Sequence, residues 1–401
     1  MNSIGALKDK NILLLQGPMG TFFKRLDKIF RKRGAKTYKI ALNAADWFFS
    51  NKDNVISYKD KPEKWKKFIG GFLSEKRIDK IFLFGDCRFY QKIAIKAADN
   101  LGIEVFVFEE GYIRPDFITL EKYGVNDNSK LPRAKEFYEN LPEISEQTKT
   151  LPMKNSLYNL IISATTYYLI ANAFMFLYPN YIHHREFSAI KEGFYGIRNF
   201  IRKIIYAQKD RPYNKRFKAD LSKKYFFVPL QTYSDAQIKK HSQFKSLEEF
   251  IEMVLVSFAR FADKECFIIF KHHPLDRGRV NYAGFISSLA KKLGVEKRVI
   301  ALYETHIPNA LKNALGTVTI NSTVGLSSLY HGTPTITMGK AIYDIKSLTC
   351  KGVKLDNFWQ NAVPPERDLF QKFRAFLIQN SQINSSFYGK IGDLEKAGLQ
   401  N

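Results

Sequence analysis

The opening third of the chain alternates short apolar runs with longer amphipathic stretches. The strand-like runs are Asn11–Leu15, Thr37–Leu42, Lys80–Phe84 and Glu104–Phe108. The helix-like stretches between them are Phe22–Arg33, Glu63–Glu75 and Tyr90–Asn100. This alternation predicts a parallel sheet covered by helices.

The same alternation returns later in the chain. The strand-like runs there are Tyr225–Pro229, Cys266–Phe270, Arg298–Leu302, Gly316–Ile320 and Thr335–Thr337. The helix-like stretches are Leu247–Ala262, Tyr282–Leu293 and Val324–Tyr330. Ser246 and Glu249 form a capping-box pattern at the start of the first of these helices. A second doubly wound unit is therefore predicted.

Between the two patterns lies an apolar segment, Asn155 to Ile182, that contains no charged residue and is long enough to span a bilayer. From His183 to Lys218 the chain then carries ten Lys and Arg against three Asp and Glu. Several Asn, Ser and Thr residues dilute the apolar signal, which favours a helix lying in or on the membrane. A buried helix between domains is the alternative.

Length and pattern together predict an α/β protein with two Rossmann-like domains facing each other and a membrane-facing helical insertion. The predicted division is an N-terminal domain at 1–150, a membrane-associating segment at 151–222, a second domain at 223–345 and a helical extension at 346–401. A chain of 401 residues with 45% hydrophobic content is long enough for two cores.

The formal net charge of +24 implies an anionic partner, which could be nucleic acid, lipid headgroups or a negatively charged substrate. The three cysteines are far apart and form no CxxC pair, so no metal is expected. The first ten residues lack the apolar run of a secretory signal, and we expect a cytoplasmic protein.

Ligands of open parallel sheets bind beyond the carboxyl ends of the strands, so catalytic and binding residues are expected just after each strand. In the first domain they hold a small-residue loop with Gly17, Pro18 and Gly20, then Asp86 and Arg88, then the pair Glu109 and Glu110, followed by Arg114. The loop is equally compatible with an ordinary tight turn. One of the adjacent carboxylates could point into a cleft with a tuned pKa, although a solvated turn is the alternative.

In the second domain, the strand at Cys266–Phe270 is followed by Lys271, His272, His273 and Pro274. Another strand is followed by Asn321, Ser322 and Thr323 at the start of a helix. Hydroxyls and free amides at a helix start form an anion site, and a helix cap is compatible with that role. We expect phosphate to bind here rather than a metal, because the usual His ligand spacing is missing.

These junctions also carry a resemblance to known families. Glu109-Glu110-Gly111 and His273-Pro274 resemble the paired motifs of bacterial CMP-sialic acid transferases with two Rossmann domains. More closely, a series of runs in order looks like the capsule polysaccharide export proteins of the KpsS/LipB type. The runs are LLLQGPMGTFF, NAADWFF, FGDCR, VFEEGYIRPDFITLE, GVN, FVPLQ, KHHPLDRG and NSTVGLSSLYHGTP.

The resemblance implies a GT-B-type glycosyltransferase that transfers β-Kdo from CMP-Kdo to a (lyso)phosphatidylglycerol-type lipid. It would thereby initiate the oligo-Kdo linker of capsular polysaccharide. The implied partners are CMP-Kdo, an anionic phospholipid acceptor, the inner-membrane surface and other capsule assembly proteins, without nucleic acid. No cofactor is expected, and the implied location is cytoplasmic, peripherally attached to the inner membrane.

The resemblance also implies roles for the candidate residues. His273 would contact the departing CMP phosphate, and the other donor-binding candidates are Lys271, Asn321, Ser322, Thr323 and Gln231, which ends the run FVPLQ. Glu110 occupies the acid/base position of the motif. If transfer retains configuration, Glu110 or Asp86 could serve as the nucleophile, and a front-face route is the alternative.

Two other functions compete with this hypothesis. The first is a non-catalytic capsule export adaptor that binds lipid-linked glycan. The second is a nucleic-acid-binding protein, which charge alone suggests and for which no recognisable motif is present.

Overall fold

This computed structural model describes residues 4–142, 150–153, 157–183, 189–233 and 243–392. The chain forms two compact units. The first contains the chain up to Lys130, the segment that carries the apolar helix, and the chain from Ala375 onward. The second contains a short stretch after Leu131 and the chain from Ile190 to Arg374.

In the described residues of the first unit, one sheet has the strand order β12-β6-β5-β4-β1-β2-β3. The strands are β1 (Asn11–Leu15), β2 (Lys36–Ala41), β3 (Val55–Ser57), β4 (Lys80–Phe84), β5 (Glu104–Glu110), β6 (Phe117–Lys122) and β12 (Gln382–Asn384). The first five strands are parallel, whereas β6 pairs antiparallel with β5, and β12 with β6. The order β3-β2-β1-β4-β5 is that of a Rossmann unit, with its topological switch point between β1 and β4.

Helices cover both faces of this sheet and form two apolar cores with it. They are α1 (Phe22–Lys32), α2 (Ala44–Phe48), α3 (Trp65–Glu75), α4 (Phe89–Asn100) and α6 (Leu157–Ala173), while α5 (Lys135–Glu139) lies in the short stretch assigned to the second unit. One core contains Trp65, Ile69 and Leu83, and the opposite core contains Phe22, Phe30 and Phe106.

The described part of the second unit repeats the Rossmann order in a fully parallel sheet, β11-β10-β7-β8-β9. Its strands are β7 (Tyr225–Pro229), β8 (Phe267–Lys271), β9 (Val299–Leu302), β10 (Gly316–Thr319) and β11 (Thr335–Thr337). Its switch point lies between β7 and β10.

The helices that follow α6 in the chain lie mostly in this second unit. They are α7 (Ala189–Asp210), α8 (Tyr213–Arg216), α9 (Leu247–Phe261), α10 (Ala283–Lys292), α11 (Ile307–Lys312), α12 (Thr323–Tyr330), α13 (Leu355–Phe358) and α14 (Arg367–Asn380). The predicted cap of α9 is present, because the Ser246 side chain accepts from the Glu249 N–H. The α/β class with two Rossmann-like units is thus confirmed.

The structure corrects the predicted domain boundaries. The expected helical extension at 346–401 is shared between the units, and its strand β12 completes the sheet of the first unit. The expected membrane segment at 151–222 is also shared, because α6 belongs to the first unit and nearly all of α7 to the second. Residues 154–156 and 184–188 of that segment lie outside the described residues.

A buried network of side-chain hydrogen bonds holds α6 against the rest of the first unit. The Tyr167 hydroxyl donates to Asp46 Oδ1 at 2.9 Å and accepts from Asn43 at 2.8 Å. Gln16, the residue after β1, donates to Asp46 at 3.1 Å and to the Tyr181 hydroxyl at 3.0 Å. Within the described part of the chain, no helix is long and apolar enough to cross a membrane.

Candidate functional site

Two predicted donor-binding residues meet at the switch point of the second unit. Gln231 lies just beyond β7, and Asn321 just beyond the neighbouring strand β10. The Gln231 amide donates to Asn321 Oδ1 at 2.9 Å. Gln231 is buried and Asn321 is half-buried, so the pair lies at the carboxyl edge of the sheet where ligands of this fold bind.

The helix that follows Asn321 begins with two more predicted residues. Ser322 is the N-cap of α12, and its Oγ accepts from the Val324 N–H at 3.2 Å. Its carbonyl accepts from the Tyr343 hydroxyl at 2.5 Å. Gly325 makes this contact possible, because a Cβ there would lie 2.2 Å from the tyrosine oxygen. Thr323 is the first helical residue, and the positive end of the helix dipole at this point favours an anion.

The third group of predicted residues follows β8. His273 is half-buried, and its Nδ1 accepts from the Leu275 N–H at 3.2 Å. In the neutral ring the proton therefore lies on Nε2, which is a hydrogen-bond donor. Lys271 is buried, its Nζ donates to the His272 carbonyl at 2.8 Å, and burial lowers the pKa of this amine to about 8, opposed by Glu304.

His272 has a different environment from its neighbour. Its Nε2 accepts from the Tyr282 N–H at 3.1 Å, and its Nδ1 lies 3.3 Å from the Leu302 carbonyl. The ring stacks on Tyr303 with centroids 4.1 Å apart. Burial lowers the pKa of this imidazole to about 4, so the ring is neutral at physiological pH. His272 is therefore part of the core that supports the loop, whereas His273 is only half-buried.

Strands β10, β7 and β8 are adjacent, so these groups lie along one edge of the second sheet. They comprise the amide pair of Gln231 and Asn321, the start of α12 and the Nε2–H of His273. Hydrogen-bond donors and a helix start at one sheet edge suit a phosphate group. Lys271 is buried, however. Its charge therefore acts on the site from inside the unit and not from the surface.

The first unit carries the acidic pair at the end of β5. Gly85 has φ +70°, and the position of its missing Cβ lies 3.7 Å from Arg88 Nε and 3.8 Å from Glu109 Oε2. Desolvation raises the pKa of Glu109 to about 7, the Glu110 charge adds to this, and Arg88 opposes it. A carboxyl with a pKa near 7 is suited to proton transfer.

Glu110 is the more exposed carboxylate of the pair. Desolvation by the surrounding protein raises its pKa, and the nearby charge of Arg114 opposes that shift. Arg114 is held by a hydrogen bond from its Nε to the Gly111 carbonyl at 3.1 Å. Desolvation raises the pKa of the Tyr388 hydroxyl, and the charge of Glu110 adds to this rise.

The turn after the acidic pair is built by glycine and by a residue from the far end of the chain. A Cβ on Gly111 would lie 2.2 Å from the Phe117 carbonyl oxygen, so no side chain fits there. Gln382 Oε1 accepts from the N–H groups of Tyr112 at 2.9 Å and Ile113 at 3.2 Å. Gln382 and Tyr388 were missed by the sequence interpretation, which treated the C-terminal region as a helical extension.

The Asp86 carboxylate accepts hydrogen bonds from a loop of the same unit. It is buried, and its Oδ2 accepts from the Val125 N–H and from the Asn128 amide, both at 3.0 Å. These bonds hold the loop that contains the run GVN. The structure therefore favours a positioning role for Asp86 over the role of nucleophile that was considered.

The small-residue loop after β1 is also filled by the protein itself. A Cβ on Gly17 would lie 2.5 Å from the Phe23 ring. Gly20 has φ +105°, and a Cβ there would lie 2.9 Å from Ser163 Oγ. Pro18 is buried. Neighbouring side chains take the space that these glycines leave, which favours the alternative of an ordinary tight turn.

The fold and these two edges define an α/β protein of two Rossmann-like units, one with a carboxylate pair and one with a cluster of hydrogen-bond donors at the start of a helix. A family model of capsule polysaccharide biosynthesis proteins matches residues 79–388. The capsule polysaccharide export protein KpsS of Escherichia coli is 37% identical over 386 residues, 95% of this chain and 98% of that protein. The chain therefore belongs to the capsule polysaccharide biosynthesis protein family, which confirms the resemblance drawn from the sequence.

Two further comparisons give similar coverage. The capsule polysaccharide modification protein LipB of Neisseria meningitidis serogroup A is 36% identical over 391 residues, 95% of this chain and 92% of that protein. Among solved structures, the beta Kdo 2,7 transferase of KpsC from Thermosulfurimonas dismutans aligns over 97% of both chains, with 15% identity and a TM-score of 0.45.

Proposed function

We propose that this protein is a glycosyltransferase that transfers β-Kdo from CMP-Kdo to a (lyso)phosphatidylglycerol-type lipid. The product would be the first unit of the oligo-Kdo linker of a capsular polysaccharide. Membership of the capsule family and the near full-length similarity to the proteins named KpsS and LipB support a role in capsule assembly.

The observation that carries the proposal is the anion-binding edge of the second unit. A CMP-sugar has one phosphate, and it needs donors from neutral groups and a helix start rather than a metal. The Gln231–Asn321 pair, the start of α12 at Ser322 and the Nε2–H of His273 supply such donors. In this proposal His273 donates to the phosphate oxygen and stabilises its charge as CMP departs.

The carboxylates of the first unit provide the acid/base chemistry. Glu110 keeps the role of its motif position, and Glu109 is a second candidate because its pKa of about 7 suits removal of a hydroxyl proton from the acceptor. Asp86 is left out, since its carboxylate already accepts two hydrogen bonds within the fold. Retention of configuration at the sugar is part of the proposal.

The proposed location is the cytoplasmic face of the inner membrane, where the acceptor lipid lies. The net charge of +24 and many exposed apolar side chains support attachment to an anionic surface. Other capsule assembly proteins are the proposed partners.

The test is direct transfer by purified protein. Incubation with CMP-Kdo and a fluorescent phosphatidylglycerol analogue should give a lipid heavier by one Kdo, detected by mass spectrometry, together with CMP. His273→Ala should abolish this product while the protein stays folded, because the imidazole is only half-buried and its loss removes one capping hydrogen bond. Binding of the glycan-lipid without any CMP release by the wild type would instead identify an export adaptor.

A further inference from the structure

Helix α7 is attached to the second unit by one of its faces. Arg198 donates from Nε to the Gly278 carbonyl at 2.5 Å and from Nη2 to the Arg279 carbonyl at 3.1 Å. Arg202 donates to the Arg277 carbonyl at 2.9 Å. These arginines, expected from the sequence to face a membrane, are instead hydrogen-bonded to the backbone of one loop.

The loop that receives these bonds follows the His273-Pro274 motif. A Cβ on Gly278 would lie 2.2 Å from the Tyr195 carbonyl, so the backbones of the loop and of α7 are in close contact. One helical turn beyond Arg202, the Tyr206 ring stacks on Tyr303 with centroids 3.9 Å apart. Tyr303 also stacks on His272, which directly precedes the His273-Pro274 motif. Helix α7 therefore contacts the loop after the motif directly and the residue before it through Tyr303.

Away from this attachment, α7 presents a stripe of apolar side chains to solvent. Ile197 is 65% exposed and Ile204 is 51% exposed. The full stripe, which we call the α7 stripe, is Phe194, Ile197, Phe200, Ile201, Ile204 and Ile205. Successive steps of three or four residues keep these positions on one side of a helix. Large apolar side chains left exposed in a continuous patch indicate an interaction surface.

Exposed lysines lie beside the α7 stripe and near the two ends of α7. At 3.6 residues per turn, Lys203 lies along one border of the stripe, whereas Lys191 and Lys209 lie near the helix ends on the same side as Arg198 and Arg202; all three lysines are exposed. Such lysines can extend their ammonium groups to lipid phosphates while the apolar side chains enter the membrane boundary. A second copy of the chain packed stripe to stripe would instead bring these like charges together, in a protein of net charge +24.

We propose that the α7 stripe lies in the headgroup–acyl boundary of an anionic bilayer. The loop of residues 277–279, which follows the His273-Pro274 motif, is bound to the other side of the same helix. This inference deepens the proposed function, since it rests on the proposed attachment to the inner membrane. It places the loop roughly one helix diameter, about 10 Å, from the lipid boundary. The bilayer would thus hold the phosphate-binding edge at a fixed height above the lipid headgroups.

Vesicle flotation tests the proposal without any need for transfer activity. The full-length protein should float with vesicles of phosphatidylcholine and phosphatidylglycerol, and Ile197→Ser combined with Ile204→Ser should lower its partition coefficient at least about tenfold. The matched control is Met253→Ser combined with Val363→Ser, which removes two exposed apolar side chains elsewhere in the second unit and should leave partitioning unchanged. Lys203→Glu should have a smaller effect that disappears at high salt.

A second measurement covers the possibility that the double variant misfolds. Phe200→Trp preserves an aromatic ring, and brominated lipids should quench the added fluorescence if the stripe enters the bilayer. Equal vesicle binding by the Ile197/Ile204 variant and wild type would overturn the proposal, as would no quenching at position 200. If the variant instead converted a dimer into a monomer in size-exclusion chromatography, the stripe would be a contact between copies of the chain. Loss of vesicle binding with normal soluble-acceptor transfer would separate this inference from the proposed reaction.

Discussion

His272 gives a prediction about how acid affects the phosphate-binding edge. Its ring is neutral, accepts from the Tyr282 N–H and contacts the Leu302 carbonyl. Protonation of Nε2 would remove the acceptor and bury a charge beside Lys271, which already lowers the pKa of the imidazole after the larger effect of burial. Acid should therefore promote local unfolding of the residues around His272, including strand β8.

The change in stability follows from the difference between the pKa of His272 in the folded and in the unfolded state. The pKa of His272 is about 4 in the fold against an ordinary value of 6.5. Between these values the unfolded chain binds more protons, so stability rises with pH. The contribution is complete above pH 6.5 and is lost as pH falls towards 4. It amounts to roughly 3 kcal/mol, of which about 2 kcal/mol is lost between pH 7 and pH 4.5.

The comparison that isolates His272 is His272→Phe, which keeps a ring against Tyr303 but has no titrating group. Hydrogen exchange with mass-spectrometric detection gives the opening free energy of strand β8 in both proteins at pH 7 and pH 4.5. At pH 7 the variant should be less stable by about 1–3 kcal/mol, because the Tyr282 N–H loses its acceptor. At pH 4.5 that difference should nearly vanish.

Other groups titrate in the same range, but they contribute equally to both proteins and cancel in the difference. A stability difference between wild type and variant that stays constant from pH 7 to pH 4.5 would refute the reasoning. So would an NMR titration in which the His272 ring protonates near pH 6.5.

Three other predictions concern the first unit. Gly111→Ala should lower the melting temperature and abolish transfer because its Cβ has no room, whereas Gly71→Ala, in open space on a helix, should stabilise by about 0.5–1 kcal/mol; equal melting temperatures for the two would contradict this. Gln382→Ala should slow transfer without changing CMP affinity, since it frees two N–H groups of the turn after the acidic pair, and a changed CMP affinity would count against a positioning role. The pH profile of kcat/KM should have a limb near pH 7 that Glu109→Gln removes and that Glu110→Gln moves to lower pH, because the Glu110 charge raises the pKa of Glu109; a limb that persists in Glu109→Gln would exclude Glu109 as its source.

The central strands could be predicted from sequence because each is a short buried apolar run. The bounds of Asn11–Leu15 and Tyr225–Pro229 match the structure at both ends. The junction chemistry could be located for the same reason, since parallel strands bring their carboxyl ends to one edge. His273, Asn321 and Ser322 were located in this way, whereas Gln231 was named from the family resemblance.

Contacts between distant parts of the chain left no comparable signal. Strand β12 has three residues and exists because Gln382 pairs with Thr119. The apolar composition of α6 could not show that the Tyr167 hydroxyl would find Asp46 in the first unit. Likewise, the basic composition of α7 could not show that Arg198 would bind a backbone carbonyl instead of solvent or lipid.

Strand β12 has a consequence for the order in which the protein can be assembled during synthesis. Domains generally fold as units while the chain emerges, with the N-terminal one first. Here the sheet that begins at Asn11 acquires its last strand at Gln382–Asn384, after the whole of the second sheet has been translated. The nascent chain would thus carry an unfinished sheet edge at β6, exposed to mispairing, until Gln382–Asn384 has been translated. A chain truncated after residue 380, which lacks β12, should have a protease-sensitive first unit and a resistant second sheet.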